Sequence, residues 1–90
     1  MVEIHCIING VVQNVCYRDY VQTSATELEI VGSVQNLSDG TVEVVAQGAP
    51  DILKEFVEHL HEGSLMAKVE AVSVDWRTTK IPLDDFSIKH

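Results

Sequence analysis

The tripeptide Ser38-Asp39-Gly40 constrains this chain more than any other stretch, because it separates two strand-forming runs, Val31–Leu37 and Thr41–Gly48. An Asp-Gly pair suits the positive φ of a tight turn, so the runs read as neighbouring antiparallel strands of one hairpin. Outside the hairpin the hydrophobic period becomes helical. Tyr17, Tyr20, Val21, Ala25 and Leu28 recur at helical spacing, with Arg18, Asp19, Gln22, Thr26, Glu27 and Glu29 mostly opposite them, which predicts a helix from about Cys16 to Glu29. After the hairpin, Pro50 stands near a first helical position and Asp51 in the first turn. Leu53, Phe56, Val57 and Leu60 then form one stripe, and Gly63 follows just past the end.

Two further strands frame these elements. Residues 2–9 alternate loosely, with Ile4, Cys6 and Ile8 on one face and His5 and Ile7 on the other, and Val69–Trp76 alternates again. Phe86-Ser87-Ile88 has the length of an added edge piece. The order β-α-β-β-α-β is that of an α+β, ferredoxin-like sandwich, with both helices on one face of an antiparallel four-stranded sheet. Such a fold hosts enzymes, regulators and RNA binders alike, so function has to come from a site.

Ninety residues allow a single domain over 1–90, with 46% hydrophobic and 22% charged residues as in ordinary globular proteins. No apolar run approaches a membrane span, and MVEIHCIING has neither a basic start nor a small-residue cleavage site, so a soluble cytoplasmic protein is expected. Fourteen acidic against six basic residues give a net charge of -8, which argues against nucleic acid as a partner. An anion could still be held at one local site by backbone amides and a guanidinium. Cys6 and Cys16 fit no metal spacing and read as reduced thiols, with a bridge between them left open. His59 and His61 are two apart on a helix and cannot share a face for a metal, and His5 and His90 have no sequence-evident partner. Trp76 and Phe86 are expected to close the core or the sheet edge.

The loop Gly10–Tyr17 leads straight into the first helix, whose early N–H groups lack intrahelical acceptors and form a natural anion cradle. Arg18 falls in the first turn, where a cation is disfavoured by about 0.3–1 kcal/mol, a penalty that a bound phosphate offsets. On position alone Arg18 also fits a solvated arginine beside Asp19, and Asn36 a simple turn residue. Cys16 lies inside the loop, but no histidine has an evident reason to pair with it as a nucleophile's base.

Taken together, the two stretches GVVQNVCYR and GSVQNLSDGTVEV resemble the acylphosphatase family. Its pattern, roughly G-x-V-Q-G-V-x-F/Y-R, is matched at Gly10, Val12, Gln13, Val15, Tyr17 and Arg18. The hairpin pattern is matched at Gly32, Val34, Asn36, Asp39, Gly40, Val42, Glu43 and Val44, and the resemblance extends over essentially the whole chain. It implies hydrolysis of acyl phosphates to carboxylate and inorganic phosphate by a monomer that needs no cofactor or metal. Carried onto this sequence, Arg18 and the backbone amides of Gln13, Asn14, Val15, Cys16, Tyr17 and Arg18 hold the phosphoryl group, while the Asn36 side chain orients the attacking water. A second reading is a non-catalytic acylphosphatase-like module that binds an anion or a partner, as within larger carbamoyl-transfer maturation proteins. Such a module needs neither Arg18 nor Asn36.

Four positions depart from the pattern. Asn14 stands where the family has glycine; asparagine tolerates positive φ, but its side chain can crowd a phosphate, so reduced hydrolysis is expected. Ser33, Gln35 and Glu29 replace common tryptophan, arginine and glycine. The loss of a basic residue at 35 removes a possible aid to an anionic substrate.

Overall fold

The computed structural model describes all 90 residues, with elements β1 (Val2–Val11), α1 (Tyr17–Glu27), β2 (Val31–Asn36), β3 (Val42–Gln47), α2 (Pro50–Glu62), β4 (Lys68–Thr78) and β5 (Phe86–Lys89). The strands form one sheet in the order β4-β1-β3-β2-β5. The first four are mutually antiparallel, as the sequence predicts, whereas β5 joins the outer edge parallel to β2, making the sheet mixed and five-stranded. The two strands of the hairpin are each shorter than predicted, so the connection runs from 37 to 41, with Gly40 at φ 92°.

Alternation decides which face of the sheet is covered. Ile4, Cys6 and Ile8 of β1, Val34 of β2 and Val42, Val44 and Ala46 of β3 are fully buried beneath Val21 and Ala25 of α1 and Leu53, Phe56 and Leu60 of α2. Burial of such side chains contributes about 1.5–3 kcal/mol each, which makes this face the main source of stability. Phe86 of β5 meets Phe56 edge-on, with ring centroids 6.0 Å apart, and so closes the core as expected. Trp76 does not: opposite Ile4 on the edge strand β4, it remains 44% exposed.

Helix α1 ends two residues earlier than its hydrophobic period suggests. Glu29 turns into left-handed backbone at φ 57°, and the Ile30 amide closes back on the Ala25 carbonyl at 2.8 Å. This wrap-around ending favours glycine, and a non-glycine residue there costs roughly 1 kcal/mol. Helix α2 starts at Pro50, as predicted, and stops at Gly63, φ 73°.

Gly10 fixes the point at which β1 leaves the sheet. The β1–β4 register shifts between Asn9 and Gly10, and a Cβ on Gly10 would lie 2.0 Å from the Lys68 carbonyl oxygen. Only glycine permits this approach.

The uncovered face carries a polar row invisible to periodicity. Glu3, opposite both Gln47 and Arg77, accepts hydrogen bonds from their side chains, and it and Gln47 are buried. Gln47 also donates to the Ile81 carbonyl at 2.8 Å and accepts from the Leu83 amide at 2.9 Å, tying the 79–85 connection across the sheet end. His5, expected to be unpartnered, sits 2.9 Å from Glu43 on this face.

Burial by itself would push the Glu3 carboxyl up, but the hydrogen bonds from Gln47 and Arg77 and the nearby guanidinium charge bring it below its ordinary value. A lowered carboxyl stabilises the fold above its unfolded value, near 4.3, and loses that contribution as pH falls through the folded value. Glu3→Gln is therefore expected to cost about 1–2 kcal/mol at pH 7. Urea unfolding should show the gap between wild type and variant closing below about pH 4; a gap independent of pH would refute the assignment.

Candidate active site

A cleft of about 480 Å³ opens where the 12–16 loop, the start of α1, the end of β2 and the end of β5 converge. Val12 and Ile88 supply apolar wall, and Asn14, Cys16, Arg18, Asp19, Asn36 and His90 supply polar groups. The loop is held at both ends by the core, since Val12 and Tyr17 are each 1% exposed. Between them Asn14 and Cys16 both adopt left-handed backbone, φ 60°. Asparagine thus takes the conformation that glycine would supply, as the sequence suggests. Alternation of this kind turns successive amides toward a common point, a geometry suited to anions.

The amides of residues 13 to 16 donate no backbone hydrogen bond. The first α1 bond runs from the Tyr20 amide to the Cys16 carbonyl at 3.1 Å, which leaves the Tyr17, Arg18 and Asp19 amides ahead of the helical ladder. No side chain caps them. These free donors and the positive end of the α1 dipole face the region that Arg18 enters.

Of the six loop residues singled out in the sequence, the cleft wall takes in Asn14, Cys16, Tyr17 and Arg18. Gln13 and Val15 anchor the loop instead. Gln13 Nε2 donates to the Leu37 carbonyl at 2.8 Å and the Thr41 carbonyl at 2.9 Å, clamping the loop to the turn that follows Asn36. Ser64 Oγ donates to the Val15 carbonyl at 2.9 Å. The clamp is a role of the Gln13 side chain that the motif alone did not disclose; no local pattern signals a partner 24 residues away.

The hairpin turn is itself stiff. Asp39 Oδ1 accepts from the Thr41 amide at 3.0 Å and from the Thr41 hydroxyl at 2.6 Å, and the hydroxyl bond leads in holding its carboxyl below the usual value. Asn36, at the end of β2, places its side chain in the cleft, where Oδ1 is buried with no hydrogen-bond partner. Leaving a buried acceptor unpaired costs about 1–3 kcal/mol.

Arg18 reaches the other wall. Its Nη1 donates to the Lys89 carbonyl at 3.1 Å and lies 3.5 Å from His90 Nδ1, a neighbour the sequence did not predict. Tyr17 orients the helix beneath it: the buried hydroxyl donates to the Leu60 carbonyl at 2.7 Å, and desolvation pushes this phenol well above its ordinary range. Tyr20 does likewise to the His59 carbonyl at 2.8 Å. The Tyr17 bond satisfies a carbonyl in the last turn of α2 that the helix itself leaves open, and the Tyr20 bond gives the His59 carbonyl a second donor beside the Gly63 amide.

The cysteines part company. Cys6 is in the core, where burial pushes its thiol up to about 12, and Cys16 is exposed at the cleft; both are free.

A family model described as acylphosphatase matches residues 4–88. An acylphosphatase of Dehalococcoides mccartyi is 43% identical over 90 residues, covering 96% of this chain and 99% of the relative. One from Thermus thermophilus is 45% identical over 76 residues, covering 84% of this chain and 86% of the relative. The crystal structure of acylphosphatase from Bacillus subtilis superposes with a TM-score of 0.97 at 36% identity, over 100% of both chains. With the family model, the sequence and the fold matching over nearly the full length, the chain belongs to the acylphosphatase family.

Proposed function

We propose that this protein hydrolyses acyl phosphates to a carboxylate and inorganic phosphate in the cleft between the 12–18 loop and Asn36, acting as a monomeric, single-domain enzyme of the cytoplasm. The observation that carries the proposal is the convergence of Asn36, Arg18 and the loop with its free amides on one cleft. In this reading the amides of residues 13 to 18 and the Arg18 guanidinium receive the non-bridging phosphoryl oxygens. A planar guanidinium matches two such oxygens better than an ammonium does. The Asn36 side-chain amide orients the attacking water, whose lone pair then points at phosphorus.

The chemistry asks for little more. As the water oxygen–phosphorus bond forms, the phosphorus–oxygen bond to the acyl group breaks, and its electron pair leaves with the carboxylate. The proton lost by the water passes to solvent or to the phosphate product. A carboxylate is a weak base and departs without protonation, so the protein's task is to position water and neutralise phosphoryl charge. A site that grips the phosphoryl end leaves the acyl group outside, consistent with a range of acyl phosphates as substrates.

Arg18→Lys should lose most activity toward benzoyl phosphate, and Asn36→Ala should lower kcat by about 10² to 10³ while leaving phosphate inhibition nearly unchanged. Full activity in either variant at fixed pH removes that residue from the mechanism.

Asn14→Gly should raise kcat/KM, because it keeps the positive φ and removes the side chain from the cleft wall. An unchanged value means that the Asn14 side chain does not crowd the phosphoryl group.

Gln13→Leu removes the side-chain donor from the Leu37 and Thr41 carbonyls, each of which keeps one backbone amide donor. The expected result is a stability loss of about 1–3 kcal/mol and, in protein that remains folded, a roughly 10- to 100-fold lower kcat as Asn36 drifts relative to Arg18. Wild-type kcat in the folded variant would show that the clamp does not position the site.

A further inference from the structure

We infer that His90 is a second side-chain ligand for the anion bound beside Arg18, and that anion binding at this cleft takes up a proton through its imidazole. The inference rests on the phosphate-binding reading of the cleft and adds a group that the sequence motif does not contain. His90 lines the cleft together with Arg18 and Asn36, and its Nδ1 lies 3.5 Å from Arg18 Nη1. The same Nη1 donates to the carbonyl of Lys89 at 3.1 Å, so β5 delivers the imidazole to the guanidinium.

The sign of the contact follows from the chemistry of the two groups. A guanidinium only donates, so a hydrogen bond at this contact has Nδ1 as its acceptor. Protonation would set two cations against each other. A doubly charged anion between them reverses this: Arg18 turns its donors to the anion, and Nδ1–H becomes a donor from the opposite wall. The bound state therefore favours the imidazolium and the empty state the imidazole.

The remaining groups around His90 do not supply the same switch. Arg18 and Asp19 face it from α1 and Cys16 from the loop, β5 contributes only the Lys89 carbonyl, and Asn14 and Asn36 are neutral amides. The Tyr17 hydroxyl is spent on the Leu60 carbonyl. Histidine is the side-chain type whose ordinary chemistry changes charge between pH 5 and 8, and His90 is the one histidine in this wall. His5 is paired with Glu43 on the opposite sheet face, and His59 and His61 belong to α2.

A purely positioning role makes the opposite prediction. If His90 served only to accept from Arg18 and hold it in place, acid would break that contact and weaken anion binding. Sulfate separates the two cases, since it remains a dianion from pH 5 to 8 and its binding needs no turnover. Titration calorimetry at constant ionic strength should show sulfate binding about three- to tenfold tighter at pH 5.5 than at pH 8, the factor given by a shift of roughly half to one unit in the imidazole on binding. Near neutrality, buffers of different ionisation enthalpy should reveal net proton uptake. His90→Asn, which can still accept from Arg18, should abolish both effects, and His90→Lys should bind tightly at both pH values. Binding that weakens in acid, an equal pH dependence in His90→Asn, or no sulfate binding at any pH would overturn the inference. Failure of benzoyl phosphate hydrolysis alongside intact proton-linked sulfate binding would instead count against the hydrolase reading alone.

Discussion

The site depends on two side chains seated in the hydrophobic core. Val12 and Tyr17, each 1% exposed, anchor the two ends of the 13–16 loop in the same core that holds the sheet and helices together. A loop this short, fixed at both ends, has few conformations left, and the one it adopts places Asn14 and Cys16 in left-handed backbone. Each such residue costs of order 1 kcal/mol or more when it is not glycine. Burial of the flanking valine and tyrosine, and the Tyr17 hydrogen bond to Leu60, offset that cost. The strain is thus held in place by the core, and the amides of residues 13 to 16 donate no backbone hydrogen bond.

Anion binding here works against the overall charge. With a net charge of -8 the protein repels anions at long range, but salt screens such fields within about 8 Å under physiological conditions. Inside that distance the local donors decide. Free amides at the α1 N-terminus and one guanidinium lie within a cleft whose apolar walls, Val12 and Ile88, reduce the screening between them and a ligand.

Most of the scaffold was legible because its signals are periodic or punctuated. The alternation of Ile4, Cys6 and Ile8, the helical spacing of Leu53, Phe56 and Leu60, and the pair Pro50 and Gly63 each report a local backbone state and the face that must be buried. The parallel pairing of β5 with β2 was not legible, since four residues carry no period and their partner strand is fifty residues away. Nor were the Glu3–Gln47–Arg77 row, the exposure of Trp76, or the Gln13 clamp, all of which arise from side chains that meet only after the chain has folded. At the site, Arg18, Asn36 and the loop stood out through a two-part motif. His90 did not, because its relevance comes entirely from where β5 ends relative to α1.

The Asn36 side chain ties these points together. A hairpin that needed only a turn residue would do as well with the amide in solvent, paired to water or to its own backbone. Here Oδ1 is instead buried and unpaired, beside a turn made rigid by Asp39, Thr41 and Gln13. Rigidity prevents the side chain from relaxing to find a partner within the protein, so the cost of the empty acceptor persists in the ligand-free state. Local rules for satisfying buried polar groups are broken most economically where a ligand restores them. The same logic covers Arg18, a cation in the first turn of a helix, and the strained loop between them: each is unfavourable alone, and under the proposed function a phosphoryl group with its water would relieve all three at once.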